Sequence, residues 1–138
     1  MGQSIKKVKQ SSFVLFHSRE YSILELDRGV RRQLRKDLKR AGNVHGLYFL
    51  YKTKGKGGAR YRTLYYVGKS RPHILKRILT HQKNRHKGNW DSFSVMTVKP
   101  KYVKLVEAII ISCARPKGNS RNEKIRAMTT GQKYFLAH

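Results

Sequence analysis

The sequence predicts an α+β protein, a small three-stranded antiparallel sheet flanked by helices and preceded by a basic N-terminal extension. Three observations predict it. Residues 46–52 (G-L-Y-F-L-Y-K) and 61–68 (Y-R-T-L-Y-Y-V-G) are aromatic-rich apolar runs joined by a glycine-rich T-K-G-K-G-G-A-R, which is how a β-hairpin reads. Residues 92–98 (S-F-S-V-M-T-V) alternate in the manner of a third strand. Residues 103–114 carry Val103, Val106, Ile110 and Ala114 at the spacing of a buried helical stripe. A chain of 138 residues can bury one core but has little room for a second.

The elements follow in order. Residues 11–26 mix alternation with short apolar runs, which predicts one or two short strands. Asp27 stands where a helix N-cap belongs, and Val30, Leu34, Leu38 and Ala41 then form a narrow apolar stripe that Gly42 stops. The chain divides there, into a basic extension (1–41) and a core with a C-terminal tail (42–138). After the hairpin, Pro72 suits the first turn of a helix running to His86. Ile74, Leu75, Ile78 and Leu79 face the core, and Arg77 and His81, four apart, share one side. The segment 116–122 (P-K-G-N-S-R-N) reads as loop, and the lone cysteine, Cys113, as core filler.

Composition narrows the function. Lys and Arg number 32 against 7 Asp and Glu, a formal net charge of +25. Such an excess opposes compaction by self-repulsion and is normally matched to a polyanion. The cations are spread along the chain between tyrosines and phenylalanines, which favours nucleic acid as partner. No apolar run approaches the ~18 residues of a membrane span, and the N-terminus lacks a signal-peptide core, so a cytoplasmic, reducing setting is expected. Arg28, Arg31, Arg32, Arg35, Lys36, Lys39 and Arg40 surround the first helix, opposed only by Asp37. They are either a solvated face or phosphate contacts, and the one-signed density favours the latter. Lys54, Lys56 and Arg71 extend the basic character around the hairpin.

Glu107 is the outlier. It lies on the apolar face of the most apolar segment, and only Asp91 and Glu123 join it as carboxylates from residue 42 onward. A carboxylate among aliphatics must be paired with a cation or hold a metal. His81 and His86 lack acidic or cysteine partners at zinc spacing.

Taken together these residues resemble the GIY-YIG nucleases, over residues 45–122. The first signature tripeptide appears as Gly46-Leu47-Tyr48 and the second as Tyr66-Val67-Gly68, each on a hairpin strand and with Leu47 and Val67 in place of isoleucine. Lys69 follows the second, as in the repair members. Arg77 matches the helical arginine of the family, and His81 the histidine of its restriction and homing members. Glu107 matches the metal-binding glutamate, and Asn119 the closing asparagine, with Asn122 as the fallback.

The resemblance implies a metal-dependent DNA endonuclease, closest in look to small restriction or phage and mobile-element enzymes. It implies Mg²⁺, with Mn²⁺ as a substitute, on Glu107, and double-stranded DNA as substrate; a homodimer would serve cleavage of both strands. Arg77 would clamp the phosphate and Tyr48 act as general base, its phenol lowered by Lys69 and the positive surroundings. Tyr66 would orient water or phosphate, His81 relay a proton or bind phosphate, and Asn119 fix its loop. The alternative is a non-catalytic, RNA- or ribosome-associated basic protein. It accounts for the charge but not for Glu107.

Overall fold

The computed structural model describes residues 14–40, 46–70 and 73–137. Its elements are β1 (Val14–His17), β2 (Tyr21–Ser22), α1 (Arg28–Arg40), β3 (Gly46–Lys54), β4 (Tyr61–Ser70), α2 (Ile74–Thr80), β5 (Ser92–Val98), α3 (Val103–Ala114) and α4 (Arg121–Ala137). The class is α+β, as expected. The sheet has five strands rather than three: β3, β4 and β5 are joined by β1 and β2, both paired antiparallel to β5. The strand order β1-β5-β3-β4 leaves β4 as a free edge.

Helices cover both faces, so the central strand is buried throughout residues 46–50. Alternation along β3 sends Tyr48 and Leu50 to one side, with Leu34 and Leu38 of α1, Ile74, Leu75 and Ile78 of α2, and Trp90. Leu47 and Phe49 point to the other, with Val103, Ala108 and Ile111 of α3 and Ala127 of α4. The expected stripe on α3 is rotated: Val103 is buried and Val106 and Ile110 partly so, but Ala114 is exposed, and Ala108 and Ile111 take the core positions. Cys113 is exposed and fills no core, because it lies on the face of α3 turned away from the sheet.

Local signals explain most boundaries. Asp27 caps α1, its Oδ1 accepting the Val30 N–H at 2.8 Å. The hairpin turns where Gly55 takes φ 84°, and a Cβ there would fall 2.3 Å from the Ala59 carbonyl oxygen. The helix expected to reach His86 stops at Thr80. Beyond it the His81 N–H bonds back to Ile78 O, and the Asn84 side chain takes the His86 N–H, so local bonds replace the helical ladder. Residues 121 and 122, expected in a loop, open α4, and the expected tail is that 17-residue helix. Ser120 and Glu123 start it with a capping box: Ser120 Oγ accepts the Glu123 N–H at 3.1 Å, and Glu123 Oε1 the Ser120 N–H at 2.9 Å. At the end of α3, Arg115 takes φ 46°, ψ 59°, a left-handed cap that costs an arginine about 1 kcal/mol relative to glycine. The stop at Gly42, the start at Pro72 and Arg71 lie outside the described residues.

Leu34 is fully buried between α1 and the sheet. Leu34→Ala should destabilise the protein by about 3 kcal/mol, read from urea unfolding. A loss below about 1 kcal/mol would mean that α1 does not share the core.

Candidate functional site

The residues singled out in the sequence gather at the free edge of the sheet. Over β4, α2 comes from one face and α3 and α4 from the other, enclosing an open cleft of about 600 Å³. Tyr48, Tyr66, Gly68, Lys69, Arg77 and Glu107 all line it. His81 and Asn119 lie behind its walls, both buried. Asn122 instead sits exposed in the first turn of α4.

Gly68 makes the cleft possible. A Cβ at this position would sit 2.2 Å from Tyr48 Cζ, so the tyrosine ring crosses the neighbouring strand only because no side chain is there. Behind it a ring cluster forms: Tyr48 and Tyr66 are 6.0 Å apart, and His81 lies 5.5 Å from the first and 5.1 Å from the second. Tyr48 Oη and His81 Nε2 are 2.8 Å apart. The direction of that bond follows from Asn84. Its Oδ1 accepts the His86 N–H, so its Nδ2 must donate to His81 Nδ1 at 3.0 Å. Nδ1 therefore carries no proton, and a neutral His81 donates from Nε2 to the Tyr48 oxygen.

A strand irregularity brings in two further rings. Leu50 pairs with Tyr66 and Tyr51 with Leu64, which leaves Tyr65 as a β-bulge. Consecutive tyrosines can then reach one histidine: Tyr65 Oη meets His86 Nδ1 at 2.8 Å, and the Tyr66 ring lies 4.7 Å from the same imidazole.

The edge of β4 is held by the loop before α4. Asn119 Oδ1 accepts the Val67 N–H at 3.0 Å, and its Nδ2 donates to Val67 O at 2.9 Å and to Glu123 Oε2 at 3.1 Å. One step away, the Gly118 N–H bonds Tyr65 O at 2.7 Å. Glu123 faces Arg85 at 3.8 Å and lines the cleft opposite Glu107. Glu123, Asn84, Tyr65 and His86 were not marked as site residues by sequence. The S-x-x-E capping box at 120–123 was the signal that could have found the first.

Electrostatics differ from expectation at Tyr48. Burial raises its phenol above the usual value, and Arg77, not Lys69, is the main influence pulling it down. Tyr66 is raised as well, by burial and by the neighbouring Tyr48. Burial holds His81 down at about 4, with His86 and Arg77 adding to the effect, and His86 is lowered for the same leading reason. Glu107 is raised by burial, against which Lys69 works from 3.8 Å. Glu123 moves the other way: burial is outweighed by the bonds from Ser120 and Asn119.

Among the described residues no three His, Cys, Asp or Glu side chains come together in a group that could hold a metal ion. Glu107 faces Lys69 at 3.8 Å and is partly exposed to an open cleft, where a hard cation that keeps most of its water could reach its carboxylate. Of the predicted phosphate contacts, Arg28, Arg32, Arg35, Lys36, Lys39, Arg40, Lys54 and Lys56 are exposed, and Arg31 is partly buried. None of them lines the cleft. Among the described residues no helix is long and apolar enough to cross a membrane.

The chain matches no protein-family model, no curated protein and no solved structure.

The two buried histidines set an acid limit. The unfolded chain takes up their protons near pH 6.5, and the folded one holds His81 neutral to about 4. Stability should therefore fall as pH drops through that window, by at most about 3 kcal/mol for His81, with Glu107 opposing weakly as its raised carboxyl protonates. Thermal melts from pH 7 to 4.5 should show the decline, and His81→Gln should flatten it. A melting temperature independent of pH in the wild type would contradict neutral, buried imidazoles.

Proposed function

We propose that the chain is a metal-dependent endonuclease of the GIY-YIG type, with a GIY-YIG-like core, that hydrolyses phosphodiester bonds in double-stranded DNA. The observation that carries this reading is the convergence in one cleft of Tyr48 from β3, Tyr66 and Lys69 from β4, Arg77 from α2 and Glu107 from α3. Four elements between residues 46 and 114 supply the residues on which the family resemblance rests. The Arg77–His81 pair and the P-K-G-N loop ending at Asn119 favour a small restriction-type or phage and mobile-element enzyme, with a homodimer for cleavage of both strands.

Glu107, with Glu123 nearby, would hold Mg²⁺, or Mn²⁺ in its place, and the bound ion would neutralise charge on the phosphate and the departing oxygen. The chain's own groups account for the rest. Arg77 offers a planar fork of donors to the scissile phosphate. Tyr48 accepts the proton of the attacking water. Donation from His81 Nε2 and the charge of Arg77 favour its phenolate, while burial opposes it. Hydrolysis should accordingly speed up as pH rises above neutrality. His81 is a positioning residue rather than a base, since the nitrogen facing Tyr48 already carries its proton. Tyr66, its phenol raised by burial, remains a donor that orients water or phosphate. Asn119 keeps β4 in place. The seven cations of α1 supply affinity through phosphates and read no sequence.

Incubation with plasmid DNA in Mg²⁺, and again with EDTA, tests the proposal directly; no cleavage in Mg²⁺ would leave only a nucleic-acid-binding role. Glu107→Ala and Glu107→Gln should abolish cutting while the protein still folds and binds DNA, and activity within about tenfold of wild type would refute a metal site at Glu107. Tyr48→Phe and Arg77→Ala should each slow turnover at least about a hundredfold. Unimpaired Tyr48→Phe would move the base elsewhere, and unimpaired Arg77→Ala would remove the clamp.

Replacing Arg31, Arg32 and Arg35 by Gln should weaken binding on every sequence. It should flatten the slope of log K against log salt by about 0.9 for each phosphate no longer neutralised. The metal requirement and cleavage positions should stay as they are. If instead the melting temperature drops and the salt slope does not change, α1 serves the fold and not the phosphates.

A further inference from the structure

A second cleft, of about 420 Å³, opens beside the first and is lined by Lys52 and Lys54 of β3 and by Arg115 and Lys117 of the loop between α3 and α4. No carboxylate lines it, and among the described residues none of these four cations has an acidic side chain within ion-pair distance. Lys52 donates to the Gly88 carbonyl at 3.1 Å, a neutral partner that leaves its charge unmatched. Lys54, Arg115 and Lys117 are exposed. In a folded domain four converging and uncompensated cations repel one another, and a polyanion is what relieves them.

Two structural details tie this cleft to the candidate site. Its floor is Thr63, Leu64 and Tyr65, and the catalytic cleft begins with Tyr66 and Gly68 on the same strand. From Thr63 to Gly68 the edge strand takes five steps, roughly 16 Å at ~3.3 Å per step. The Gly118–Asn119 clasp holds β4 at Tyr65 and Val67, between the strand residues of the two clefts. The second detail is the backbone of Arg115. It occupies the left-handed cap of α3, where glycine is the favoured residue, so its N–H closes the helix end on Ile111 O at a conformational cost, and the same residue lines this cleft.

We propose that Lys52, Lys54, Arg115 and Lys117 form a phosphate track for the backbone of duplex DNA, continuing from the candidate cleavage site along the free edge of β4. The proposal rests on the nuclease reading for the identity of its polyanion. Its position fixes a geometry: the track contacts phosphates on one side of the scissile position only, within half of the ~34 Å helical turn of B-DNA.

The test is binding of a short DNA duplex in EDTA, where no cleavage is needed, titrated with salt for the wild type, for Lys54→Gln/Lys117→Gln and for Arg115→Gly. The double variant should flatten the salt slope by about 1.8 and Arg115→Gly by about 0.9. Arg115→Gly should at the same time raise the melting temperature, since glycine suits the cap; a merely structural arginine would give a changed melting temperature with the wild-type slope. Ethylation interference should reveal a one-sided block of phosphates that disappears in the double variant. Wild-type slopes and an unaltered footprint in both variants would overturn the track, even if the wild type cuts plasmid. A wild type that binds with the expected slopes but never cuts would retain the track and overturn the nuclease reading. Variants that lose affinity for duplex RNA but not for duplex DNA would overturn the assignment to DNA.

Discussion

The free edge of β4 is the constraint from which the rest of the arrangement follows. An edge strand exposes backbone donors and acceptors that must find partners, and here a side-chain amide supplies them. Asn119 faces Val67 and satisfies both its N–H and its carbonyl, as a neighbouring strand would. Satisfying the edge in this way pins the loop before α4. With the loop pinned, Ser120 and Glu123 can start the last helix against α3, and the wall opposite Tyr48 exists. The same edge carries Gly68, whose missing side chain admits the Tyr48 ring, and the Tyr65 bulge, which turns a second ring toward His86. Strand, loop and helix are thus interdependent at one place, and that place is where the cleft opens.

Acid is scarce in this protein, and its few carboxylates are held in contrasting states. Glu107 and Glu123 share a cleft, yet burial raises one and hydrogen bonds lower the other. The cap that folds α4 therefore also keeps a negative charge at the cleft, while the α3 glutamate has Lys69 at 3.8 Å to set against its burial. The imidazoles behave likewise. In surroundings this positive a protonated histidine would be costly, and both stay neutral by burial. Neutrality is what lets His81 donate to the Tyr48 oxygen without adding to the charge.

How much of this was legible in the sequence depends on the range of the forces involved. Period and capping are local, so the hairpin, the third strand, the Asp27 cap and the α3 segment were readable from residue type alone. The cleft members Tyr48, Tyr66, Lys69, Arg77 and Glu107 were readable as a set, through the ordered motifs. What escaped depends on contacts distant in sequence. The short end of α2 follows from the competition of Asn84 for backbone donors, which periodicity does not register. Tyr65 and His86 escaped because a bulge breaks the alternation on which strand reading relies. The pairing of β1 and β2 to β5 spans most of the chain. The last helix was missed although its capping box was present, because its apolar positions are too sparse for a clear stripe: Ile125 and Met128 are exposed and Ala127 is its buried contact.

That long-range pairing shapes how the protein is made. The partners of Tyr21 and Ser22 are Phe93 and Ser92, so the first strands have nothing to dock on until about seventy more residues exist. At ~5–20 residues per second of synthesis, the wait is roughly 4–14 s. During it, short β segments with unsatisfied backbone groups would be open to pairing with other chains. The neighbouring segment is α1, with seven cations, and like-charged chains keep apart. The basic helix would thus shield the newly made sheet from its own copies before any partner is bound.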